Sequence, residues 1–118
     1  MGGYAGKILR INLTKNEIKG EVVDLATARK YIGGRGLASY ILSKELNLKA
    51  APLSEENKII FATGPLSGTS APTGGRYMVV TKSPLSDTIA SSNSGGFWGA
   101  ELKSAGYDLL IVEGKAKS

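Results

Sequence analysis

Two short stretches hold the residues able to do chemistry. In SAPTGGRYMVV, residues 70–80, Gly74 and Gly75 stand directly before Arg76, and a strand-like run from Tyr77 to Val80 follows. The second stretch is Asn93-Ser94-Gly95-Gly96. The seventeen residues from Ile59 to Gly75 carry no charge, and neither do the thirteen from Thr88 to Ala100. Backbone without Cβ atoms lets amide N–H groups come close to an anion. The NSGG stretch leads into a helix expected from about Phe97 to Ser104, and helix N-termini present unpaired N–H groups and partial positive charge. Arg76 adds a permanently charged, planar fork of five donors. These types suit a flat, polar ligand with phosphates attached. Gly-Ser-Thr loops also serve as ordinary turns, and Asn93 as an ordinary helix N-cap, so the residues alone leave both readings open.

Other chemistries are excluded or thinly supported. The chain has no cysteine and no histidine. Disulfides, thiolate metal ligands, iron–sulfur ligation and thiol nucleophiles are therefore absent from these residues, as are the commonest general base and metal ligand. Asp87, Glu101, Asp108 and Glu113 are carboxylates that could serve acid–base work, but the pattern gives no sign that they converge, and each reads as a solvated residue or a helix-face charge. Asp108 and Glu113 flank the apolar Leu109–Val112 run as strand ends would. Trp98 reads as a core anchor. The net charge is +5, yet lysines and arginines are scattered, with no basic stripe and no interleaved aromatics, which argues against nucleic acid. No apolar run approaches the ~20 residues of a membrane helix, so no membrane role is expected and a cytoplasmic location is the default.

A length of 118 residues suits a single domain, 1–118. GKILRINLTKNEIKGEVVD alternates with period two around a Thr14-Lys15-Asn16 turn and predicts a β-hairpin. Asp24 caps a short helix, Leu25 to Ile32. GGRG at 33–36 breaks it, and a second helix runs from about Leu37 to Leu46. GGRG has the first glycines of a dinucleotide fingerprint but follows a helix, not a strand, so close helix–helix packing is the favoured reading. Strands are expected at 58–63, 76–82, 87–92 and 107–114, with Ser83-Pro84 as a turn. Hairpins with helices between them predict an α+β fold, an antiparallel or mixed sheet with three short helices.

Residues 64–116, GPLSGTSAPTGGRYMVVTKSPLSDTIASSNSGGFWGAELKSAGYDLLIVEGKA, closely resemble the N-terminal region of the tungsten-containing aldehyde:ferredoxin oxidoreductase family. The resemblance extends upstream through GKILRINLT, YIGGRGLASYIL and PLSEENKIIFATGPLSGT. It implies the first half of a β-rich base on which a tungsten bis-molybdopterin cofactor lies, with magnesium bridging the pterin phosphates. A 4Fe-4S cluster held by later domains passes electrons to ferredoxin as an aldehyde becomes a carboxylic acid. By the same resemblance, Arg76 hydrogen-bonds the pterin, the backbone carbonyl of Asn93 ligates the magnesium, and the backbone of Gly95 contacts the cofactor. A buried arginine without an anion is costly, so Arg76 is expected to be exposed when the cofactor is absent.

Family members are several times longer, with cluster cysteines, catalytic acid and substrate channel in later domains. The expectation is an N-terminal piece, a truncation or a separately encoded subunit, inactive alone and with no catalytic residue of its own. Its partners would be the remaining domains or a complementary subunit, and ferredoxin for the whole enzyme. The competing expectation is a structural module with a vestigial site, a homo-oligomer formed through an unpaired sheet edge.

Overall fold

The computed structural model describes residues 2–117. Strand β1 (Lys7–Asn12) turns back into β2 (Glu17–Val22), with Asn16 at the turn in the left-handed region (φ 54°), a conformation asparagine tolerates. Helix α1 (Leu25–Tyr31) starts where the sequence predicts: the Asp24 carboxylate accepts from the amides of Ala26 and Thr27. Helix α2 (Gly34–Glu45) follows. The remaining elements are β3 (Lys58–Ala62), β4 (Tyr77–Lys82), β5 (Ile89–Ser94), α3 (Trp98–Ser104) and β6 (Leu109–Glu113).

The six strands form one mixed sheet in the order β2-β1-β6-β3-β4-β5. All neighbours run antiparallel except β1 and β6, which are parallel. The fold is therefore α+β, as the hairpin pattern implies. Three local expectations shift. Helix α2 begins at Gly34, not Leu37, so the GGRG segment is its first turn. Strand β5 covers 89–94, so Asn93 and Ser94 lie in the sheet and not in a loop. Asp108 is buried, not solvated.

Strand alternation puts Ile8, Ile60, Ala62, Val80, Leu109 and Ile111 on one face. They pack against Ala28 of α1 and Leu37, Ala38 and Leu42 of α2 in one core cluster. Each Leu or Ile fully buried there contributes about 1.5–3 kcal/mol. Of the GGRG glycines, Gly36 makes the close contact between helices, its would-be Cβ 2.7 Å from the Tyr31 carbonyl oxygen of α1, whereas Gly33 packs on the end of β3, where a Cβ would lie 3.0 Å from both the Gly64 Cα and the Thr63 carbonyl oxygen.

Two ionic clusters pin the margins. Arg10, buried beneath the end of α2, contacts Glu21 at 2.8 Å, Glu45 at 2.8 Å and Glu113 at 3.5 Å; Lys58 joins Glu113 at 2.6 Å and Glu45 at 3.6 Å. Asp108 accepts from the amides of Ala5 (2.9 Å) and Gly6 (2.7 Å) and from Lys103 Nζ (2.5 Å), tying the N-terminal segment and α3 to β6.

Removing the guanidinium would leave Glu45 and Glu113 to Lys58 and Glu21 to the exposed Lys19 at 4.0 Å, so Arg10→Ala is expected to cost about 3 kcal/mol, read as a lowered urea midpoint. The Glu113 carboxyl also links the fold to pH. Burial pushes its pKa up, but the hydrogen bond and charge of Lys58, with the charges of Arg10 and Lys19, outweigh this and hold it below the ordinary value of 4.5. A carboxyl lowered on folding stabilises the folded state fully above that value and loses the contribution as pH falls through the lower folded-state pKa. Urea midpoints measured in steps below pH 4.5 should fall, and Glu113→Gln should be less stable at neutral pH yet fall less steeply on acidification.

Candidate functional site

The two glycine-rich stretches lie at opposite ends of one hairpin and meet at its open mouth. Strands β4 and β5 pair antiparallel from Lys82↔Ile89 to Tyr77↔Ser94. The closed end is made by Ser83 N–H to the Thr88 carbonyl (2.8 Å) and Asp87 N–H to the Ser83 carbonyl (2.9 Å). At the other end the register, continued by two residues, sets Arg76 opposite Gly95 and Gly75 opposite Gly96. There the two backbones touch: a Cβ at Gly75 would come within 2.9 Å of the Gly96 carbonyl oxygen, and a rigid carbonyl cannot yield as a flexible side chain would. Gly99, the buried residue of α3, packs on the same spot, its would-be Cβ 3.3 Å from the Gly75 carbonyl oxygen.

Arg76 is exposed, and its Nη1 donates to Asn93 Oδ1. Asn93 faces Met78 across the ladder, two residues beyond Arg76, so the contact is a diagonal one on a shared face. The side-chain amide of Asn93 thus orients the arginine instead of capping a helix; the residue before α3 is Phe97, which makes no side-chain cap. Gly95 is exposed, and a Cβ there would meet nothing within 4 Å. Neither a positive φ nor internal packing requires glycine at 95, in contrast to Gly75. Because β5 is an edge strand, half of its backbone groups also face away from β4.

The 64–75 loop is anchored from both ends. Thr63 donates to the Asp108 carbonyl through its amide (3.0 Å) and its hydroxyl (2.7 Å), and the Gly34 amide donates to the Thr63 carbonyl (2.9 Å). The Ser67 hydroxyl accepts from Gly64 N–H (3.2 Å), and Ser67 is buried. Asp108 therefore helps to place the loop. That role is not legible from residue type, because the contact with Thr63 is made by the Asp108 main-chain carbonyl, while its carboxylate holds the distant amides of Ala5 and Gly6.

The chain alone offers a shelf here, not an enclosed pocket. A cleft of about 470 Å³ is lined by Asn12, Glu45, Lys58 and Glu113, and one of about 300 Å³ lies between β1–β2 and the helices; neither involves Arg76, Asn93 or Gly95. Among the described residues no group of three or more Asp and Glu side chains could hold a metal ion. No helix is long and apolar enough to cross a membrane. Trp98 is not a buried core anchor. It is 38% exposed and lies against Tyr77 (ring centroids 4.5 Å apart) and Phe61 (5.4 Å), beside the mouth.

The family model of the aldehyde ferredoxin oxidoreductase N-terminal domain matches residues 8–118. A tungsten-containing aldehyde ferredoxin oxidoreductase of Pyrococcus abyssi is 62% identical over 98% of this chain and 19% of its own length. An aliphatic sulfonate oxidoreductase WOR-like subunit of Pyrococcus furiosus is 43% identical over 100% of this chain and 19% of its own. Among solved structures, the active-site complex BamBC of benzoyl coenzyme A reductase, with bound 1,5-dienoyl-CoA, superposes with a TM-score of 0.95. It is 40% identical and covers 98% of this chain and 18% of that one. The chain thus spans about one fifth of the relatives it matches. With the profile running from β1 to the last strand and the same sheet and helices in a solved relative, the chain belongs to the aldehyde ferredoxin oxidoreductase family.

Proposed function

We propose that this chain forms one wall of the tungsten–pterin site of an aldehyde oxidoreductase and acts together with polypeptide equivalent to the rest of its longer relatives. The observation that carries the reading is the mouth of the β4–β5 hairpin. There a cation held by Asn93 stands next to Gly95, where the chain's own packing leaves the space above the backbone clear.

The residues fit the group. The Arg76 fork supplies in-plane donors for the polar edge of a pterin and a fixed positive charge against its phosphates. Asn93 would divide its work: its side-chain oxygen holds the guanidinium, and its main-chain carbonyl would ligate the magnesium. Gly95 lets a flat ring system lie on the backbone, and Gly75 lets the two segments come close enough to act on one ligand. The chemistry supplied with the cofactor is a two-electron oxidation, in which an aldehyde and water become a carboxylic acid and two protons and the electrons leave through a 4Fe-4S cluster to ferredoxin. This chain's part is to bind, orient and electrostatically favour the cofactor. No cysteine is present to ligate a cluster.

The relatives' names point to an aldehyde, an aliphatic sulfonate and a coenzyme A thioester system. One fold shared among them at 40–62% identity supports a role in holding the common cofactor over a role in choosing the substrate.

The test is tungsten and pterin content of the purified enzyme, by elemental analysis and pterin fluorescence. Losing charge-assisted hydrogen bonds of about 1.5–3 kcal/mol, Arg76→Met should lower both by about 10- to 100-fold. Gly95→Val should do the same while changing apoprotein stability by less than about 0.5 kcal/mol. Gly75→Ala should instead destabilise the apoprotein by about 1–3 kcal/mol, through the clash with the Gly96 carbonyl. Wild-type tungsten and pterin in both the Arg76 and Gly95 variants would overturn the reading.

A further inference from the structure

The sheet has a second face, and the function proposed above does not use it. One cross-strand row on that face runs Gly20, Leu9, Leu110, Phe61, Val79, Ser92. The next row runs Ile18, Ile11, Val112, Ile59, Thr81, Ala90. Together they cross all six strands without one charged residue, in a chain of net charge +5.

The sequence marks these strands as buried on both sides. An antiparallel strand with one wet face alternates apolar and polar residues, whereas β3, β6 and the first half of β4 are almost continuously apolar. Ile60, Val80, Leu109 and Ile111 are buried under the helices; their neighbours Ile59, Val79, Leu110 and Val112 are only half-buried. At the β2 edge Ile18 is 72% exposed. Trp98 packs against one end of this face, through Phe61, and Phe97 beside it is 85% exposed. An apolar surface of this extent, with an aromatic pair at its rim, resembles the core of an obligate interface more than the mixed surface of a transient one.

We infer that this face is the docking surface for the part of the oxidoreductase that makes up the other four-fifths or so of its relatives' length, packed on it as a second apolar layer. The inference rests on the proposed cofactor role for its choice of occupant. A second copy of this chain would pair the face with itself and supply neither cysteine nor histidine. The rest of the relatives' length would supply what the site lacks, and it must lie where it can reach the hairpin mouth. The face borders that mouth along one edge: Phe61 and Tyr77 share the Trp98 ring, and the Tyr77 Cβ is 3.6 Å from the position of a Cβ on Gly99, while Arg76 and Asn93 lie on the other side of the ladder, with Met78 and Val80.

The experiment is hydroxyl-radical footprinting of the protein purified from its native source, with native mass and cross-linking to identify what lies on the face. Leu53 and Leu85, 88% and 96% exposed, serve as internal references. Ile18, 72% exposed in this chain, is expected to be at least about tenfold less oxidised than the references after correction for intrinsic reactivity, and the half-buried Ile11, Leu110 and Val112 less oxidised than their exposure in this chain would give, with cross-links to polypeptide matching the later part of the family. Oxidation of Ile18 near the reference rate, or protection in a species containing only copies of this chain, overturns the inference. Ile18→Glu, at the sheet edge where the core is untouched, should uncover the face without unfolding the chain, read as a several-fold rise in oxidation of Leu110 and Val112; unchanged protection also counts against it. Tungsten and pterin are measured in the same sample. A protected face without cofactor sinks the cofactor reading and leaves the docked layer standing, whereas bound cofactor with an oxidised face does the reverse.

Discussion

The arrangement at the candidate site depends on backbone touching backbone where Gly75, Gly96 and Gly99 meet. The hairpin ladder brings the two glycine segments to the same end of the sheet, but a ladder alone would leave them a strand's spacing apart. Having no side chain at Gly75 lets that segment rest on the Gly96 carbonyl, and having none at Gly99 lets α3 pack on the Gly75–Tyr77 segment. Arg76 and Asn93 then face each other across a gap small enough for a direct hydrogen bond. Two segments seventeen residues apart in sequence, measured from Arg76 to Asn93, thereby act as one surface.

That contact is held by structure further off. Asp108 receives two amides and a lysine at the start of β6, while its own carbonyl takes both donors of Thr63. A carboxylate so supplied is a stable buried charge, because each of its oxygens has a partner and its countercharge is in contact. Through Thr63 it fixes where the glycine-rich loop leaves β3. The far margin of the same sheet uses a different device, with Arg10 and Lys58 set among Glu21, Glu45 and Glu113. The Arg10–Lys58 network lies on the side covered by α1 and α2, and the Lys103–Asp108 pair sits where α3 meets the start of β6. Polar cross-ties therefore fix the margins of the domain, and the two central rows of the opposite sheet face are left without charge.

Periodicity made most of the elements legible. Each strand and helix falls within a few residues of its expected place, because hydrophobic alternation and the Asp24 cap are local signals. The failures share a cause. Helix α2 starts at Gly34 because the Thr63 carbonyl accepts from its amide and Gly33 can lie on Gly64, a long-range fit that no local propensity for glycine reveals. Asn93 belongs to a strand because Met78 pairs with it, and its polar neighbourhood reads as a loop only when that partner is unseen. The buried state of Arg10 and Asp108 is likewise set by residues far away in sequence. Arg76, Asn93 and Gly95 were legible as residue types and spacing. Their convergence needed the hairpin, whose two strands and turn the pattern did contain.

The division of labour implied by the relatives follows from the kind of groups this chain presents. Backbone amides, one guanidinium and an uncharged shelf recognise shape, planarity and negative charge, features that a pterin with phosphates offers whatever the substrate is. They offer little to tell an aldehyde from a sulfonate or a thioester, since such discrimination needs side chains shaped around the reacting carbon or sulfur. A segment that binds only the common part of an active site is free to stay nearly constant while its neighbours change. On the proposed reading, that freedom would account for a TM-score of 0.95 at 40% identity to a chain of benzoyl coenzyme A reductase. The same logic would account for the two uncharged rows of the sheet face. A surface that meets one fixed neighbour has no need of charge to select among partners, and apolar contact over both rows gives affinity without the desolvation cost that buried charges would add.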